Sequence, residues 1–145
     1  TAEEGFPVHF GAQGQASLFY RQHHGDRLLD LRTEGVPVHQ TIYTVKWGRP
    51  RPAAALDAVA SADDERIFIH LVHRDPTTAM TLELRLDGVA VAEAATLHLL
   101  LAHPAPVDAP DRFLGQESRP TTVADGRCAL VLPPGAIACL ELRRR

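Results

Sequence analysis

From Ala55 to Leu142 apolar residues either alternate with polar ones or gather in short blocks, and turn residues separate the blocks. This feature constrains the fold most, because a period of two belongs to strands and excludes helix over most of the chain. Met80-Thr81-Leu82-Glu83-Leu84-Arg85-Leu86 shows it completely. Met80, Leu82, Leu84 and Leu86 face a core, while Thr81, Glu83 and Arg85 face water. Ile67 to Val72 is apolar on nearly both sides, which predicts a central strand. Asp63-Asp64-Glu65 and Asp75-Pro76-Thr77-Thr78 supply turn chemistry, and Asp87-Gly88 ends the alternating strand. Further strands are expected at Arg27 to Arg32, with Leu29 and Leu31 inward, and at His39 to Trp47, Val89 to Ala92 and Thr96 to Leu101. Ala53 to Ser61 leads into the first acidic turn, and His103 to Pro120, with four prolines, reads as a loop. Arg127 to Leu132 and Ala136 to Leu142 are expected to close the chain as a hairpin about Pro133-Pro134-Gly135. No strand alternates with a helix, so a (β/α)₈ barrel does not fit. The expectation is an all-β, jelly-roll-like antiparallel sandwich.

Residues 1–25 differ in kind. Thr1 to Gln15 is punctuated by Gly5, Gly11 and Gly14, and Ala16 to His24 reads as one short helix stopped by Gly25. Leu18, Phe19 and Gln22 are expected on its packed face. The division is therefore 1–25, an irregular segment with a short helix, and 26–145, a β-sandwich. A chain of 145 residues fits one domain with an ordinary core. A formal charge of −3 gives no basic footprint for nucleic acid, and no apolar run approaches the roughly 20 residues of a membrane span. Thr1-Ala2-Glu3-Glu4 does not read as a signal peptide, so a cytoplasmic location is expected over a secreted one.

Two cysteines invite a disulfide. A hairpin about Pro133-Pro134-Gly135 places Cys128 opposite Leu140, so Cys139 points to the other face and free thiols are expected.

Candidate chemistry is sparse. Asp63-Asp64-Glu65 and Asp108 with Asp111 pair carboxylates, but in proline- or charge-rich turns without an apolar pocket to raise a pKa. Eight histidines suggest metal, yet His23 and His24 diverge on a helix, and His70 and His73 fall on opposite strand faces. No cysteine lies near either pair at zinc-ligand spacing, so no metal or other cofactor is expected. Ser17, Ser61 and Ser118 lack a nucleophile-elbow pattern, and Gly11-Ala12-Gln13-Gly14 lacks the strand and lysine of a phosphate loop. Alternation does place His39, Tyr43 and Trp47 on one strand face, where aromatic rings serve to stack on sugars. They form a candidate carbohydrate platform, against the plainer reading that Tyr43 and Trp47 pack in a core or against a neighbouring domain.

Three segments carry a family resemblance. They are Tyr20-Arg21-Gln22-His23-His24-Gly25, the stretch from Ala55-Leu56-Asp57-Ala58-Val59-Ala60-Ser61 to Leu71-Val72-His73-Arg74-Asp75-Pro76, and Leu132 to Leu142. In that order they resemble the end of the last barrel helix, the opening strands and the final hairpin of the C-terminal β-sandwich in α-L-arabinofuranosidases of glycoside hydrolase family 51. His73 stands where the family usually has Asn, and Val107 to Phe113 replaces an Asn-rich loop. The resemblance implies a parent enzyme that removes terminal arabinofuranosyl residues from arabinan or arabinoxylan with retention. Such catalysis uses two carboxyl groups about 5–5.5 Å apart. In the family both sit on the barrel, and the acid follows an Asn; this chain contains no Asn and so no Asn-Glu pair. The implied role is that of a non-catalytic domain whose partner is the barrel of its own enzyme, with contacts in a homo-oligomer also expected. Two other classes compete: a stand-alone carbohydrate-binding module using Tyr43 and Trp47, and a structural interaction domain unrelated to sugars, marked by a large apolar patch.

Overall fold

The computed structural model describes residues 12–40, 52–102 and 114–145. Helix α1 (Ala12–Gln22) precedes β1 (Arg27–Leu29), β2 (Val38–Gln40), β3 (Pro52–Ala54), β4 (Leu56–Ala62) and β5 (Arg66–His73). Next come β6 (Met80–Arg85), β7 (Val91–Ala102), β8 (Leu114–Thr122), β9 (Arg127–Leu132) and β10 (Ile137–Arg144). A six-stranded sheet runs β1-β4-β5-β10-β7-β8, all antiparallel. A second sheet pairs β6 with β9, and a ribbon pairs β2 with β3. This is the expected all-β sandwich with one short helix.

Alternation explains the layers. On β6, Leu82 and Leu84 lean inward while Thr81, Glu83 and Arg85 are exposed; on β9, Cys128, Leu130 and Leu132 are buried. These residues cover the inner face of the large sheet, meeting Ile67, Ile69 and Leu71 of β5, Leu97 and Leu99 of β7, and Leu140 and Leu142 of β10. β5 and β10 have partners on both sides and a cover on both faces. The helix supplies the second cover: Phe19 packs with Phe68, Leu100 and Cys139 on the outer face. Burying a side chain of that size contributes about 1.5–3 kcal/mol.

The closing hairpin is not a hairpin. β9 pairs with β6, whereas β10 lies between β5 and β7, so Pro133-Pro134-Gly135 carries the chain from one layer to the other. The burial patterns give the reason. β9 has one apolar face and suits a half-covered sheet; β10 is buried on both sides from Ala138 to Leu140 and belongs at a sheet's centre. The turn is tied to a neighbouring loop, with the Gly135 amide donating to the Asp75 carbonyl (2.7 Å) and His73 Nδ1 to the Pro133 carbonyl (2.9 Å). Gly135 has φ +66°, a conformation open to glycine at little cost. The predicted pairing of Cys128 with Leu140 fails with the hairpin. Both thiols are nevertheless free and buried, in cores on opposite sides of the large sheet.

Other boundaries moved as well. The strands expected at Val89 to Ala92 and Thr96 to Leu101 are one strand, because Glu93-Ala94-Ala95 contains no breaker. Leu114 to Pro120 of the expected loop lies in β8, the last strand of the large sheet, where a proline is tolerated. β1 stops at Leu29; this residue is on the first strand of the large sheet and 37% exposed, while Leu31 packs against the core as expected. The helix begins four residues earlier than predicted and ends at Gln22. Its packed face is Phe19 with His23, one turn apart, and Leu18 is 42% exposed. Gly25 answers to crowding: a methyl there would collide with the Ala62 backbone. Of the strand expected from His39 to Trp47, Val38–Gln40 is β2 and residues 41–47 lie outside the described residues.

Candidate functional site

The polar residues that the fold gathers lie beneath α1, on the outer face of the large sheet. Register places Val59 beside His70, His70 beside Cys139, Cys139 beside His98, and His98 beside Ser118, one row across five strands. His23, at the end of the helix, sits over this row with its ring centroid 4.1 Å from that of His98. Tyr20 lies over His70 at 4.7 Å.

Each ring has a defined bond. His23 Nδ1 donates to the Phe19 carbonyl (2.9 Å), closing the helix end. His70 Nε2 donates to the His23 carbonyl, which also receives the Cys139 thiol at 3.9 Å. His98 Nε2 reaches Glu141 Oε2 at 3.0 Å, and its Nδ1 meets the Ser118 hydroxyl at 2.8 Å. His70 Nδ1 is buried without a partner. Burial lowers the pKa of His23 and His70, raises that of Tyr20, and pushes the Cys139 thiol up to about 12.

These facts limit the chemistry. A thiol held protonated is a poor nucleophile and metal ligand. Among the described residues no group of three or more His, Cys, Asp or Glu is arranged to hold a metal. Ser118, His98 and Glu141 form a hydrogen-bonded relay, but acyl transfer also needs donors for an oxyanion and a place for substrate. Neither of the two grooves described below reaches Ser118.

The carboxylates behave as turn residues. Asp63 Oδ1 accepts from the amides of Glu65 (2.9 Å) and Arg66 (2.6 Å), which hold its carboxyl below the usual range, the direction opposite to that of a general acid. Asp64 pairs with Arg27 at 2.8 Å. Asp108 and Asp111 lie outside the described residues, as do Tyr43 and Trp47. The backbone of His39 lies in β2, paired with Ala53, and its side chain is outside the described part. The sugar platform is thus neither assembled nor dispersed by the described residues.

One groove, of about 630 Å³, is lined by charged residues including Arg66, Glu141 and Arg144. The other, of about 490 Å³, is shallow and mostly apolar, between Tyr20, Leu28, Val59 and His70. Sequence reasoning missed the grouping of His23, His70 and His98. His70 and His98 stand on separate strands, and only the register through Cys139 brings them together.

No family model matches the chain, and no curated protein matches it. Solved structures do. An α-L-arabinofuranosidase from Thermotoga maritima, in complex with arabinose, is similar with TM-score 0.64 and 19% identity, over 84% of this chain and 27% of that one. The family 51 α-L-arabinofuranosidase from Thermotoga petrophila gives the same figures. An arabinose-bound family 51 α-L-arabinofuranosidase reaches TM-score 0.69 at 16% identity, over 96% of this chain and 20% of that one. At such identity the fold is what is shared. The chain spans about a quarter of the length of these structures.

Proposed function

We propose that this chain is the non-catalytic C-terminal β-sandwich of an α-L-arabinofuranosidase-like glycoside hydrolase. Its work is to pack on and stabilise the catalytic barrel, which hydrolyses terminal arabinofuranosyl residues of arabinan or arabinoxylan. One observation carries the reading: similarity that covers 84% of this chain covers only 27% of the arabinofuranosidase it matches. The site supports it too. Asp63 is engaged by turn amides, Asp64 by Arg27, Asp57 by Arg74 and Glu141 by His98, the settings of structural carboxylates. The apolar groove beside α1, with Leu28 at 81% and Val59 at 45% exposure, is the surface we assign to the barrel contact.

Incubation with an aryl arabinofuranoside tests the proposal. The chain alone should release no aglycone, and a polypeptide joining it to the barrel of its own gene should. Turnover by the chain that survives repurification overturns the reading.

Sugar binding at His39, Tyr43 and Trp47 is the competing proposal. Arabinan oligosaccharides should leave Trp47 fluorescence unchanged if the chain is only a support. Saturable quenching, lost in Trp47→Ala, favours the binding module.

A further inference from the structure

We propose that the seat of helix α1 on the large sheet is an acid-sensitive latch, in which a second proton on His70 lifts the end of the helix from the sheet. The bonds fix where protons stand. A carbonyl accepts only, so His70 carries its hydrogen on Nε2, facing the His23 carbonyl, and His23 carries its own on Nδ1, facing Phe19. A further proton on His70 must go to Nδ1, which is enclosed and has no acceptor. The residue is 4% exposed and Tyr20 covers its ring. A further proton on His23 goes to Nε2, on a ring stacked against His98.

Among the described residues no free carboxylate stands against His70 to offset that charge. From the helix, Tyr20, His23 and His24 face His70; from the sheet, Arg66, His98, Cys139 and Glu141 surround the cluster. Of these only Glu141 is anionic, and it is engaged by His98 and, at 3.7 Å, by Arg66. Asp57, beyond Tyr20, is paired with Arg74. An imidazolium under the helix is therefore buried and uncompensated, a state avoided by exposing the ring to water.

The sign follows from burial. Both rings take up a proton less readily in the folded chain than in the unfolded one. Docking is fully present above the ordinary imidazole value of about 6.5 and is lost as pH falls below it. The helix yields first because, among the described residues, few groups hold it: Ala16, Phe19, Tyr20, His23 and the Gly25–Ser61 bond. The larger core lies across the sheet, among apolar residues of β5, β9 and β10. Undocking exposes Phe68 and Leu100 and leaves the sandwich intact.

Amide hydrogen exchange on the 145-residue chain, from about pH 7.5 to about pH 5, reads the latch directly. Protection factors in α1 should fall by roughly tenfold for each pH unit over which one uncompensated proton is taken up, while amides of β5 and β10 keep theirs. His70→Gln retains a donor for the His23 carbonyl and cannot titrate; it should reduce the pH-dependent loss. Protection of α1 that ignores pH overturns the proposal, and so does a His70→Gln helix that loosens as the parent does. Should that variant fail to fold, the His70 ring resonance of the parent decides. Titration below about 6.5 together with helix exchange supports the latch, and titration at or above it overturns the latch.

Discussion

The amide of Gly25 donates to the hydroxyl of Ser61 across 36 residues of chain, at 3.0 Å. It does so where backbone lies against backbone, since a Cβ on residue 25 would strike the carbonyl of Ala62. This contact anchors the connection between helix and sandwich. Its glycine is needed for space, while the glycine at 135 is needed for conformation.

Gly25→Ala should therefore destabilise the chain by about 2 kcal/mol or more, since backbone must move to admit the methyl. Ser61→Ala leaves the collision aside and removes the acceptor, for a loss of about 1–3 kcal/mol. Urea denaturation of both variants checks the order; equal stability with the parent contradicts this account of the anchor.

Leu140 is fully buried at the centre of the sheet, between β5 and β7, whereas Val131 is 56% exposed on the outer side of β9. Leu140→Ala should cost about 2–5 kcal/mol. Val131→Ala should stay within about 0.5 kcal/mol of the parent. The contrast tests the difference between a strand at the centre of the large sheet and the open face of β9.

Neither thiol should react with iodoacetamide in the native chain near neutral pH. Burial holds Cys139 protonated, and Cys128 is enclosed in the main core beside Thr121. Both should alkylate in urea without prior reduction. Mass spectrometry of labelled chain counts them, and a cross-linked pair would contradict the separation of the two cores.

The strands of the sandwich were legible where periodicity was complete. Met80 to Arg85 could be read residue by residue, and the apolar block at Ile67 to Val72 marked a strand covered on both faces. The cysteines show how a sound conclusion can rest on a wrong pairing. The thiols are apart for another reason: Cys128 faces the core between the two sheets, and Cys139 faces the helix on the outer side of the large sheet. Of the expected helix face, Phe19 is buried, whereas Leu18 and Gln22 are exposed and His23 takes the packed position one turn on. Tertiary contacts decide this, giving His23 a carbonyl and two aromatic neighbours.

By itself the sequence determined an all-β sandwich with one helix, because side-chain alternation and turn residues act locally. Only the tertiary structure decided which strands are neighbours, and so which polar residues meet. Turning at Pro133-Pro134-Gly135 within a sheet or between sheets uses the same local residues. The choice depends on which distant strands β9 and β10 can cover, a property of the assembled core. The meeting of His23, His70 and His98 depends on it as well, since β10 has to lie between β5 and β7 before the three rings share one surface.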